Sequence, residues 1–241
     1  LSTVTSWMRM EADEWGVSTR TAWILALGPL VVASLVGLTA AYRPLYRIFV
    51  NEDALVEWLQ FAIVVALVPA GILVARRLRA QRQPALAAVF AVAAVGAVFI
   101  AGEEISWGQR ILGWSTPDGL SELNEQGETN LHNIGNVLQV MNLVMFLTAV
   151  VAGLAPIVWR WGAGSRDGGL ARWILVPPLF LATSFLFAAS YRLFRYALMP
   201  EARYTVSRYG EVGELLLYGA LLAFAVLLAR RLDPRRHDRT A

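Results

Sequence analysis

The 241-residue chain contains no cysteine, which excludes disulfides, thiolate metal sites and a cysteine nucleophile. It contains no lysine either, so all 21 of its fixed cations are arginines. Schiff-base chemistry and lysine-bearing phosphate loops are excluded with it. Histidine is reduced to two residues, His132 and His237. Charged residues make up 16% of the chain, against about a quarter in a soluble domain. There is also no Gly-rich phosphate loop, nucleophile elbow, HExxH pattern or nucleic-acid module, and no nucleic-acid partner is expected.

What is present is apolar: 57% of the residues are hydrophobic, and they lie in runs. A helix needs about 20 apolar residues to cross a hydrocarbon core. The runs predict six spans, near 22–41, 54–75, 85–102, 137–158, 173–190 and 213–229. The expected fold class is therefore all-α, a polytopic transmembrane helix bundle with six spans. The expected organisation is an N-terminal segment 1–20, a membrane domain 21–230 with a large outer loop 103–136, and an Arg-rich tail 231–241. The first run is longer than a typical apolar signal core, although Leu38-Thr39-Ala40-Ala41 would suit cleavage. The third is rich in Ala, Val and Gly, which predicts packing in the bundle interior. Pro177–Pro178 lies one turn into the fifth, where it is either tolerated or kinks the helix. Trp7, Met8, Met10 and Trp15 predict a short interfacial helix before the first span, with an unstructured tail as the alternative.

Loop charge gives the orientation. The termini and the loops after the second and fourth spans hold 14 Arg and six acids, 14 − 6 = +8. The opposite side holds seven Arg and 12 acids, 7 − 12 = −5. The positive side belongs in the cytoplasm, which predicts N-in/C-in in a cell inner (plasma) membrane.

The unusual polar residues gather on the outer side. The third span ends in Gly102-Glu103-Glu104-Ile105-Ser106-Trp107-Gly108-Gln109-Arg110, and the loop continues through Trp114 to Asn124-Glu125-Gln126-Gly127-Glu128-Thr129-Asn130-Leu131-His132-Asn133. Asn136, Gln139 and Asn142 step by three, as one polar helix face would. Glu128 and His132 are four apart, so on a helix they share a face and could share a divalent metal or a proton. Glu103, Glu104, Glu128 and His132 are the expected catalytic groups. Glu57 and Glu214 fall inside apolar runs, where an ionised carboxylate costs a few kcal/mol unless paired or near water. With Trp107, Gln109, Arg192 and Arg195 they make up the expected substrate-binding set. The competing reading is a hydrogen-bonded network that closes the outer end of the bundle, with His132 capping a helix. Tyr42-Arg43 and Tyr191-Arg192 each leave a span, and acids open the next one (Glu52-Asp53 and Glu211), so the two outer hairpins share an order.

The stretch GEEISWGQRILGWSTP followed by NEQGETNLHN resembles a motif pair in uncharacterised multi-span bacterial membrane proteins. The resemblance covers residues 102–133, and NEDALVEWLQ at 51–60 is similar to the same group less specifically. It implies a prokaryotic inner-membrane location and no activity. Seven-span metal hydrolases, by contrast, need several His in late helices, and spans five and six have none. Three functions are open: a hydrolase or transferase acting on a lipid or lipid-linked substrate, with a divalent metal as its conceivable cofactor; a proton- or cation-coupled transporter; and a non-catalytic subunit whose outer loop docks a partner membrane protein. Membrane lipids are expected partners in each.

Overall fold

The structure, a computed structural model, describes residues 2–122, 124, 129–131, 134–162 and 169–234. The elements run in order: α1 (Ser2–Trp15), α2 (Thr19–Thr39), α3 (Arg43–Val50), α4 (Leu55–Ala80), α5 (Pro84–Glu104), the short α6 (Gln109–Leu112) and α7 (Asp118–Ser121), α8 (Gly135–Gly162), α9 (Gly169–Leu175), α10 (Ala182–Leu193), α11 (Tyr204–Arg208) and α12 (Gly210–Arg231). Among the described residues there is no strand. Six stretches are long and apolar enough to cross a membrane, at Thr19–Thr39, Arg43–Ala80, Pro84–Glu104, Val137–Trp161, Arg172–Leu198 and Tyr204–Arg231. The fold is thus an all-α, multi-pass membrane bundle.

The fifth and sixth spans form its centre, with 56% and 61% of their most apolar stretches buried. α10 packs against α8, α12 and α2, while α4 lies between α12 and α5. Phe180, Leu181, Phe185, Ala188 and Leu217 fill the middle of the bundle.

The expectation that the third span lies in the interior is overturned. α5 packs on α4 along Ala87, Ala94, Ala97 and Ala101, and its other face is open: Val92 and Val95 are 71% and 70% exposed. Small residues do allow a close approach here, since a Cβ added at Gly71 would lie 3.2 Å from the Ala94 Cβ. One alanine stripe suffices for a single close neighbour. The valines opposite suit lipid, and composition alone does not say how many faces of a helix are covered.

Pro177–Pro178 breaks the fifth span. α9 ends at Leu175, a 3₁₀ turn covers Leu179–Leu181, and α10 starts at Ala182. A restarted helix exposes N–H groups that need acceptors. The acceptor comes from α1: the Leu179 amide donates to Glu11 Oε1 at 2.9 Å, and Arg160 donates to Glu11 Oε2 at 3.0 Å. The N-terminal segment is therefore a docked helix. Trp15 packs edge-on to Trp173 and Phe224, with ring centroids 5.4 and 6.0 Å apart. Val4, Trp7 and Met10 stay exposed, and the Arg160 guanidinium lies 5.3 Å over the Trp7 ring.

Candidate functional site

At the end of the bundle opposite α1, six segments converge: the start of α4, the end of α5, the first turns of α8, the end of α10, α11 and the start of α12. They enclose a cavity of about 440 Å³. Its lining includes six carboxylates (Glu52, Glu57, Glu103, Glu104, Glu211, Glu214), three guanidinium groups (Arg192, Arg195, Arg208) and three phenols (Tyr191, Tyr196, Tyr218).

Each group is held by local structure. Glu57 opens α4, and its Oε2 accepts the Asp53 amide at 2.7 Å, at a backbone position with φ 58°. Gln60, one turn on and fully buried, donates to the Glu211 carbonyl at 2.6 Å and to Glu211 Oε2 at 3.3 Å. This ties α4 to the first turn of α12. Arg192 is 5% exposed and pairs with Glu214 at 2.9 Å, joining α10 to α12. The same Nη2 contacts the Met145 sulfur at 3.1 Å, while Arg192 Nε has no partner among the described residues. Beyond Leu193 the helix widens into a π turn, Phe194–Leu198. Such turns are often found at functional sites. Arg195 lies on this turn and donates to the carbonyls of Met199 and Pro200 at 2.8 and 2.9 Å.

The loop motif is held together by its own polar side chains. Glu103 is 1% exposed; its Oε1 accepts Trp107 Nε1 at 2.5 Å and its Oε2 accepts the Leu131 amide at 2.6 Å. The chain turns through three consecutive left-handed residues, Ser106, Trp107 and Gly108, at φ 47°, 53° and 96°. For Ser and Trp this conformation costs roughly 1–2 kcal/mol each. Gln109 accepts the Thr129 amide at 2.7 Å and donates to Thr116 at 2.9 Å. Asn124 donates to Asn130, which donates to the buried Ser106 hydroxyl at 3.2 Å.

The two outer hairpins also clasp each other. Tyr204 donates to Asn51 at 2.7 Å, Tyr46 donates to the Thr205 carbonyl at 2.7 Å, and Arg208 pairs with Glu52.

Of the residues expected from sequence, Glu57, Glu103, Glu104, Arg192, Arg195 and Glu214 meet in the cavity. Trp107 and Gln109 do not line it; they anchor the loop behind Glu103. Glu128 and His132, the expected metal and acid–base pair, lie outside the described residues. Among those described, no three His, Asp or Glu side chains form a group that could hold a metal ion. Along the polar strip, Asn142 reaches the cavity and Gln139 lines the groove beside it. Tyr218, Met145 and Ser207 were missed, as none of the three departs from an ordinary span or loop composition. Glu211 was read only as an entry acid.

A second cavity, of about 580 Å³, opens beside the first between α8 and the end of α10. Leu143, Phe146, Leu193 and Ala197 make it apolar, and it shares Leu138, Asn142, Arg192 and Tyr196 with the polar cavity. Both volumes fall in the range of about 300–1,000 Å³ typical of ligand sites.

No protein-family model, curated protein or solved structure matches the chain.

Proposed function

We propose that the protein is a membrane-embedded hydrolase or transferase acting on a lipid or lipid-linked substrate, with carboxyl groups as its acid and base. The observation that carries this reading is the junction of a carboxylate-rich cavity with an apolar groove, continuous through four shared residues. An amphiphile has a place there for each of its ends. A packed apolar core lies beneath the cavity, around Phe185 and Leu217, which favours a one-sided site over a path across the membrane.

The carboxylates divide the work by their contacts. Glu103 has both oxygens occupied and positions the loop. Glu104 follows it into the cavity and is the acid: its carboxyl gives a proton to the leaving group. Glu214, held by Arg192, is the base and takes the proton of the attacking water or acceptor hydroxyl. His132 and Glu128, the pair the sequence offers for acid–base work or metal binding, remain part of this proposal.

In this reading the acidic end faces outward, the Arg-rich end and both termini face the cytoplasm, and the membrane is a prokaryotic inner membrane. The support is the loop charge difference of +8 against −5 together with the motif resemblance at 102–133. The test is comparative lipidomics of cells expressing the wild type, Glu104→Gln, Glu214→Gln or no protein. One lipid class should be depleted by the wild type alone, and turnover by either variant should fall by at least about a hundredfold. Identical lipid profiles in all four strains would remove the enzyme reading.

A further inference from the structure

Among the described residues the polar cavity holds more acid than base: three guanidinium groups against six carboxyl groups, and with Glu104 carrying the acid's proton the formal balance is 3 − 5 = −2. Its arginines are also committed to partners. Arg192 is paired with Glu214, Arg208 with Glu52, and Arg195 donates to the Met199 and Pro200 carbonyls. An anionic head group entering here would meet the surplus carboxylates in surroundings of low dielectric, where repulsion is strong. A cation would gain from the same charges. Tyr191, Tyr196 and Tyr218 extend the match, because an ammonium group is attracted to aromatic faces as well as to carboxylates. The groove next door has room for an alkyl chain and no carboxylate in its lining.

We infer that the site takes an amphiphile with a positively charged amine head, the ammonium seated among Glu211, Glu214 and the tyrosines and the tail laid in the groove between α8 and α10. This rests on reading the two cavities as one lipid site, and it narrows the substrate class to amine-headed lipids. Tyr196 and Asn142, which belong to both cavities, mark where head and tail join. Leu143 is 55% exposed and forms part of the tail wall only.

The experiment uses the full chain in phosphatidylcholine nanodiscs, probed with dodecylamine carrying a photoreactive group in its tail. Labelled peptides are mapped by mass spectrometry. Labelling is expected on residues 138–146, competed by plain dodecylamine and not by equal concentrations of dodecyl phosphate or dodecanol. Leu143→Trp fills the groove while leaving every charged residue in the chain unchanged, and should cut labelling at least about tenfold, with the melting midpoint as the control for folding. Glu211→Gln combined with Glu214→Gln should abolish the preference for amine over alcohol. Competition by dodecyl phosphate equal to that by dodecylamine overturns the inference, and so does labelling indifferent to Leu143→Trp. Amine-selective labelling in a protein that turns over no lipid keeps the inference and removes the enzyme. Turnover of an anionic lipid does the reverse.

Discussion

Glu103 gathers the Trp107 indole and the Leu131 amide onto one buried carboxylate, and Gly102 makes room for the indole. A Cβ at residue 102 would come within 2.9 Å of the Trp107 ring. Gly102→Ala should therefore displace the ring and lower stability by about 1–3 kcal/mol, as overpacking does. Gly96 has nothing within 4 Å of the same added atom, so Gly96→Ala in the same helix should leave the melting midpoint unchanged or higher. Equal effects of the two substitutions would show that the ring contact carries no weight. Glu11 offers a second test at this scale. Burial raises its carboxyl above the ordinary 4.5, and Glu14 adds to this, while the Leu179 amide, Arg160 and Arg172 pull it down. A raised value in the folded chain means that folding favours the proton. That contribution is complete below pH 4.5 and is lost as pH rises through the folded value. Melting midpoints should thus fall more steeply over that window in the wild type than in Glu11→Gln, which cannot titrate.

At the scale of elements, α4 and α5 pack against each other, with Gly71 facing Ala94 at the contact. Gly71→Leu should force the two helices apart and destabilise the protein by at least about 1 kcal/mol, read as a lower melting midpoint in detergent. Val92→Leu, on the open face of α5, should change nothing measurable. The contrast explains why the sequence misled about this helix. Hydrophobic spacing identifies a span because every residue of the span must suit hydrocarbon. It does not separate lipid from protein as the neighbour, since both are apolar. The break at Pro177–Pro178 was visible as a pair of missing amides. Its acceptor, Glu11, is 168 residues away in sequence, and no local pattern could have named it.

Across the whole molecule, the six spans and the acidic end were legible because charge is excluded from hydrocarbon and so marks every helix end. Much of the polar cavity was legible for the same reason: Glu57 and Glu214 stood inside apolar runs and needed partners. Tyr191 had an ordinary explanation as an interfacial anchor, so its place in the cavity became visible only in three dimensions. The absence of cysteine makes the proposed orientation easy to check. Ser121→Cys, in α7, should react with an impermeant maleimide on intact cells, and Gln81→Cys, between α4 and α5, only after the membrane is opened. The opposite pattern would invert the topology and turn the polar cavity toward the cytoplasm.

The Glu11–Leu179 hydrogen bond also carries a consequence for biogenesis. α1 is made before the fifth span and bears the group that completes that span's second half, so it must wait at the membrane surface while the four intervening spans are made and inserted. Shortening the chain by its first 16 residues should leave insertion intact and stall the final assembly, visible as full-length spans that remain open to protease around residue 179.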